Sequence, residues 1–107
     1  MNNKVLTLLG FAAKSGNLSY GMEASKYSVL GKKAKLVLVS YEISEKSRKE
    51  MAFVCEKSGV ECVILAEFDI NTVSAAIGRK CGILSVNEKQ FAASVLKTLQ
   101  GGNANDK

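Results

Sequence analysis

Apolar residues in this chain alternate between helical spacing and short continuous runs, with glycines and small polar residues marking each change. Val5, Leu8, Leu9 and Ala12 fall at i, i+3, i+4 and i+7, widened by Leu6 and Ala13. This predicts a helix over Asn3–Lys14, capped by Asn2 or Asn3 and ended at Ser15-Gly16-Asn17, with Gly16 in the left-handed region. Leu18-Ser19-Tyr20 reads as a short extended piece, Gly21–Leu30 as a second helix closed by Gly31, and Lys35–Ser40 as a strand. Leu36-Val37-Leu38-Val39 is too continuous for a strand with only one buried face.

A third helix starts at the cap Ser44 and runs to about Lys57, with Met51, Val54 and Cys55 inward and Ser58-Gly59 as its stop. Val60–Leu65 is the next strand. Asp69 caps a fourth helix through Ile77, and Gly78 stops it. Cys81–Val86 is a further strand, and Asn87 caps a last helix carrying Phe91, Val95, Leu96 and Leu99. Helices and strands in alternation, joined by short links, predict a three-layer α/β/α sandwich with a mixed sheet of about four strands. The expected organisation is one domain over residues 1–99 and a disordered tail over 100–107, which contains Gly101-Gly102-Asn103.

Composition narrows the function classes. At 107 residues and 47% hydrophobic content the chain can bury a real core. Its apolar runs stop well short of the roughly 18 residues of a membrane span. The segment from Val5 to Ala13 has the length of a signal-peptide core, but Lys14 interrupts it and no clear Ala-x-Ala site follows. A mature, cytoplasmic protein with no membrane partner is the expectation. Fifteen basic against ten acidic residues leave a net charge of +5, which favours a polyanionic partner. An aromatic content of 7% argues against a stacking platform for single strands. Cys55, Cys62 and Cys81 show no Cys-x-x-Cys spacing and histidine is absent, so free, mostly buried thiols are expected rather than a metal site.

Catalytic constellations are missing. Gly16 and Gly21 have the spacing of P-loop glycines, but Met22 and Glu23 stand where the lysine and the Ser/Thr would be. Ser94-Val95-Leu96-Lys97 matches Ser-x-x-Lys only within a lysine-rich helical stretch. Glu42 with Glu45 and Glu67 with Asp69 read as helix-start charges. The chain is therefore expected to be no enzyme and to need no cofactor. Three basic groups remain: Lys32-Lys33-Lys35, Lys46-Arg48-Lys49 and Arg79-Lys80. Glu45 and Glu50 partly neutralise the second, whereas the third sits at a loop tip, where functional residues collect.

The series Leu8-Leu9-Gly10-Phe11-Ala12-Ala13-Lys14-Ser15-Gly16, Ser19-x-Gly21, Ala34-Lys35-Leu36-Val37-Leu38-Val39-Ser40, Cys55-Glu56-x-x-x-Val60 and Ala76-Ile77-Gly78 resembles the kink-turn RNA-binding family of ribosomal proteins. That family is typified by the archaeal large-subunit protein "L-seven-Ae". The likeness covers about residues 4–99 and is nearest to the small bacterial YlxQ-like branch.

The resemblance implies a non-enzymatic α/β/α protein that recognises structured, kink-turn-like RNA in a ribosome- or translation-related setting. Ribosomal RNA and the protein partners of a ribonucleoprotein are the implied company. In the family, a Gly-x-Asn/Lys-Glu/Gln-x-x-Lys segment opening the second helix reads sheared G·A pairs, and the loop before the last strand packs on an extruded nucleotide. Ungapped matching puts the base-reading positions on Glu23, Ala24 and Tyr27, the last loop on Arg79, Lys80 and Cys81, and the loop after the central strand on Tyr41–Ile43.

Ala24 cannot accept guanine N–H bonds, Tyr27 lacks the lysine's charge, and Glu23 sets a negative charge beside phosphates. A one-residue slip would instead bring Glu23 and Lys26 onto the Glu-x-x-Lys pair. The expected RNA surface is Gly21, Met22, Glu23, Ala24, Lys26, Tyr27, Lys33, Arg79, Lys80 and Cys81. The alternative is a protein-interaction module on the same scaffold that has lost kink-turn specificity, motivated by Met22, Ala24 and Tyr27.

Overall fold

The computed structural model describes residues 3–100. Along them run α1 (Asn3–Lys14), β1 (Leu18–Tyr20), α2 (Gly21–Leu30), β2 (Leu36–Ser40), α3 (Glu45–Ser58), β3 (Glu61–Leu65), α4 (Ile70–Ile77), β4 (Ile83–Val86) and α5 (Lys89–Leu99). The strands form one mixed sheet in the order β1-β4-β2-β3. β4 is antiparallel to both β1 and β2, and β2 is parallel to β3, which requires α3 as the crossover.

Helices cover both faces of the sheet, as the alternating sequence pattern predicts. Leu36, Leu38, Leu84 and Val86 pack with Val5 and Leu9 of α1, Val73 and Ile77 of α4, and Val95 of α5. Val37, Val39 and Ile83 pack on the other face with Val29 of α2 and Met51 and Cys55 of α3. β2 is flanked by strands on both sides and buried on both faces, so every position of Leu36-Val37-Leu38-Val39 is apolar. β1 and β3 are the edge strands, and β3 has Glu61 and Ile64 exposed.

The N-caps of α3 and α4 follow the sequence. Ser44 Oγ accepts the Ser47 N–H at 3.1 Å, and Asp69 Oδ1 accepts the Thr72 N–H at 2.7 Å. At α5, however, the cap is Glu88, which accepts the Phe91 N–H at 2.7 Å, and not Asn87. Asn87 is drawn inward instead: its amide donates to Ser19 Oγ at 2.9 Å and accepts from Ser85 Oγ at 2.8 Å. Ser19 Oγ in turn lies 2.6 Å from Ser28 Oγ of α2. Unmet hydroxyls under α2 thus outcompete the helix end for the asparagine.

The turn after α2 also differs in detail, because Gly31 keeps a negative φ and Lys32 takes the left-handed conformation at φ 64°. Gln100, expected in the tail, donates its N–H to Leu96 O at the end of α5. The rest of that expected disordered tail lies outside the described residues, as does Asn2. Among the described residues no helix is long and apolar enough to cross a membrane.

Candidate nucleic-acid interface

β1 aims α2. Its three residues run antiparallel to β4, and the chain passes from Tyr20 straight into the helix at Gly21, whose φ of 91° only glycine adopts readily. Tyr20 is the N-cap residue yet makes no side-chain capping bond. The first turn of α2 therefore carries amide donors with no side-chain acceptor from the cap, at the positive end of the helix dipole.

Two loops close on this point. The first is Gly78–Gly82, which leaves α4 through Gly78 at φ 78°. The Arg79 guanidinium stacks on the Tyr20 ring, 4.5 Å from its centroid, and fixes the loop against the end of β1. The Cys81 N–H donates to Ser74 Oγ at 3.4 Å. Burial pushes the Cys81 thiol pKa up, and the backbone of Gly21 and Ile83 and the charge of Arg79 offset only part of that rise. The thiol is thus a neutral wedge between the loop and the start of α2.

The second loop follows β2. The Ser40 N–H donates to Gly82 O at 2.8 Å, and Glu42 takes the Ile70 N–H at 2.8 Å. Ile43 packs so closely on Gly82 that an added Cβ would lie 2.6 Å from its methyl group. Tyr41 beside it is 53% exposed.

The structure brings Gly21, Met22, Arg79, Lys80 and Cys81 to one end of the sheet, with Glu23 and Ala24 exposed on the first turn of α2. Met22 is partly buried against the core under α2 and so serves packing. Lys26 is turned toward α3, where its ammonium lies 2.6 Å from Glu50. That hydrogen bond raises the Lys26 pKa and lowers that of Glu50. Tyr27 is 75% exposed on the outer face of α2, beside Leu30. Lys33 stands apart from this group: it follows α2, at the opposite end of the sheet.

Sequence reasoning did not find Tyr20 or Glu50. Tyr20 adjoins Gly21 and could have been found by that adjacency. Nothing local marks Glu50 as the partner of Lys26, twenty-four residues away.

Acidic residues also line this end, but most are occupied. Glu42 and Asp69 serve the start of α4, and Glu45 pairs with Lys49 at 3.2 Å. Hydrogen bonds from Thr72, first through its side chain and then its backbone, hold the Asp69 carboxyl below its ordinary 3.8. Arg79 and Lys80 are both exposed, and among the described residues neither has an acidic partner within 4.0 Å. No group of three or more His, Cys, Asp or Glu residues that could hold a metal ion occurs among the described residues. The arrangement offers backbone donors, a stacked guanidinium and a lysine to a phosphate-rich ligand.

Residues 3–96 match the ribosomal protein L7Ae/L30e/S12e/Gadd45 family. The chain is 26% identical over 98 residues to the RNA-binding protein YlxQ of Enterococcus faecium, covering 92% of this chain and 93% of that protein. A solved Bacillus halodurans protein of unknown function superposes with a TM-score of 0.86 at 21% identity, over 91% of this chain and 97% of that one. The 15.5kD RNA binding protein of Giardia lamblia shares the fold with a TM-score of 0.75 at 17% identity, over 92% of this chain and 86% of its own.

Proposed function

The chain belongs to the ribosomal protein L7Ae/L30e/S12e/Gadd45 family, and from that premise we propose that it is a non-enzymatic RNA-binding protein of the cytoplasm. Its ligand is structured, kink-turn-like RNA in a ribosome- or translation-associated particle, with ribosomal RNA the foremost source. The observation that carries this reading is the convergence of the uncapped start of α2 with the Gly78–Gly82 loop, pinned by Arg79 on Tyr20. Arg79 stacks its guanidinium face on Tyr20 and, with Lys80 beside it, is exposed.

Ala24 and Tyr27 supply neither the acceptor nor the ammonium that base reading would use. Affinity then comes mainly from RNA shape and phosphates. Gel-shift titration of a kink-turn RNA and a straight duplex of equal length tests this reading. Tighter binding to the kinked RNA, weakened by R79A/K80A, is expected. Equal, weak and steeply salt-dependent binding to both RNAs would sink it.

One observation favours a second reading. Tyr27 and Leu30, 75% and 63% exposed, adjoin on the outer face of α2 and suit a protein contact. A partner that stays bound after nuclease treatment and is lost in Y27A/L30A would support that interaction role; a partner released by nuclease would count against it.

A further inference from the structure

The register places Leu18, Val86, Leu36 and Glu61 in one row across the sheet, at the end opposite Gly21 and Arg79. The turn between α2 and β2 arrives at this row and carries Lys32, Lys33 and Lys35, all exposed. Its backbone is pinned throughout. Gly31 N–H bonds Tyr27 O, Lys32 N–H bonds Val29 O, and the amides of Lys33 and Ala34 share Ser28 O at 2.8 and 2.9 Å. Lys35 N–H bonds Val86 O at 2.8 Å, and Ala34, only 4% exposed, plugs the turn into the core. The lysines flanking Ala34 therefore project from a rigid platform.

Among the described residues none of the three lysines has an acidic partner within 4.0 Å, the ion pairs being Lys26–Glu50 and Lys49–Glu45. Lys14 at the end of α1 and Lys89 at the start of α5 extend the same end, and the nearby Glu88 is committed to the Phe91 N–H. The Gly21 end, by contrast, mixes Arg79 and Lys80 with Glu23, Glu42 and Asp69. The exposed Glu61 of the same row makes no ion pair with these lysines among the described residues, so the turn keeps its three charges. Along α2 the two ends are separated by about 15 Å, too far for the same side chains to serve both.

We propose that Lys32, Lys33 and Lys35 form a second, sequence-independent phosphate-binding surface, through which one molecule holds a second RNA segment. Three ammonium groups, unpaired among the described residues and set on either side of the buried Ala34 with the exposed Leu30 standing before the turn on α2, match a partner that offers repeated negative charge. A nucleic-acid backbone is such a partner, whereas a protein interface would need an apolar centre. The proposal takes only the identity of the polyanion from the RNA-binding reading.

The test uses the full chain, a straight RNA duplex as probe, and the variants K32Q/K33Q/K35Q, K32R/K33R/K35R and R79A/K80A. All three lysines are exposed, and circular dichroism with thermal unfolding checks that the variants fold. The glutamine variant is expected to bind the duplex about tenfold or more weakly at low salt. Its log K against log salt slope should flatten by about 2 to 3, roughly one for each lysine removed. The arginine variant should bind as the wild type does, and the slope change made by the glutamine substitutions should be the same in an R79A/K80A background. Protein saturated with kink-turn RNA should still take up the duplex in a ternary complex that the glutamine variant does not form.

An unchanged slope in the glutamine variant, one-for-one competition between duplex and kink-turn RNA, or preference for polyglutamate over the duplex would each overturn the proposal. Loss of kink-turn preference with the slope change intact would defeat the first interface and leave this one standing.

Discussion

Ala24 and Tyr27 both face solvent on α2, so these two positions, proposed to meet RNA bases, can be changed without disturbing the core. Installing an acceptor and an ammonium there, A24E/Y27K, is expected to raise the preference for a kink-turn over a straight duplex by about tenfold or more, since each good base contact is worth about 1–3 kcal/mol. Competition gel shifts measure it. Gly82→Ala should act oppositely, through structure. Its Cβ would lie 2.6 Å from Ile43, forcing the loops apart at an expected cost of about 1–3 kcal/mol in denaturant unfolding.

The Lys26–Glu50 pair adds a pH dependence whose sign is fixed. Glu50 is held below its ordinary 4.5, so its contribution is present above pH 4.5 and is lost as pH falls through the lowered folded-state value. Lys26 is raised above 10.5, so its contribution is intact below pH 10.5 and is lost as pH climbs through the raised folded-state value. Glu50 is exposed and Lys26 half-buried, so the pair reaches solvent and salt should shrink the effect. Chemical unfolding of wild type and E50Q should differ most at neutral pH and low salt, and converge in acid.

At the scale of the elements, α2 carries the candidate interface on an unusual seat. Its buried positions include Ser25 and Ser28, and beneath it the Asn87 amide bonds the hydroxyls of Ser19 and Ser85, Ser19 in turn meeting Ser28. Removing that amide strands the buried Ser85 hydroxyl and leaves Ser19 with Ser28 alone, so N87A should cost about 1–3 kcal/mol by thermal unfolding, whereas substituting the exposed Lys89 should cost little.

The seat also explains what the sequence made legible. Apolar spacing marks α1, α3, α4 and α5, and the unbroken apolar run marks β2, because in those elements burial and hydrophobicity coincide. Under α2 they do not coincide: serines fill the buried face while Tyr27 and Leu30 stand outside, so periodicity could not orient this helix. Asn87 misled for the same reason, since its partners Ser19 and Ser85 are brought to it by the sheet. The position of the candidate interface was legible from Gly21 and Arg79-Lys80. The Arg79–Tyr20 stack and the Lys26–Glu50 pair were not, being made by packing between distant segments.

Across the whole molecule, the sheet separates two chemistries. At one end, backbone donors, Arg79 and Lys80 stand among mostly occupied acids. At the other, Lys32, Lys33 and Lys35 stand unpaired among the described residues. RNA binding at the first end is tested by titrating a kink-turn RNA into isotope-labelled protein and following the amide chemical shifts. The largest shifts are expected at Gly21–Ala24, Tyr41–Ser44 and Gly78–Gly82 at the first equivalent of RNA, with those shifts lost in R79A/K80A. First-equivalent shifts confined to other faces of the protein, or none at all, would contradict it.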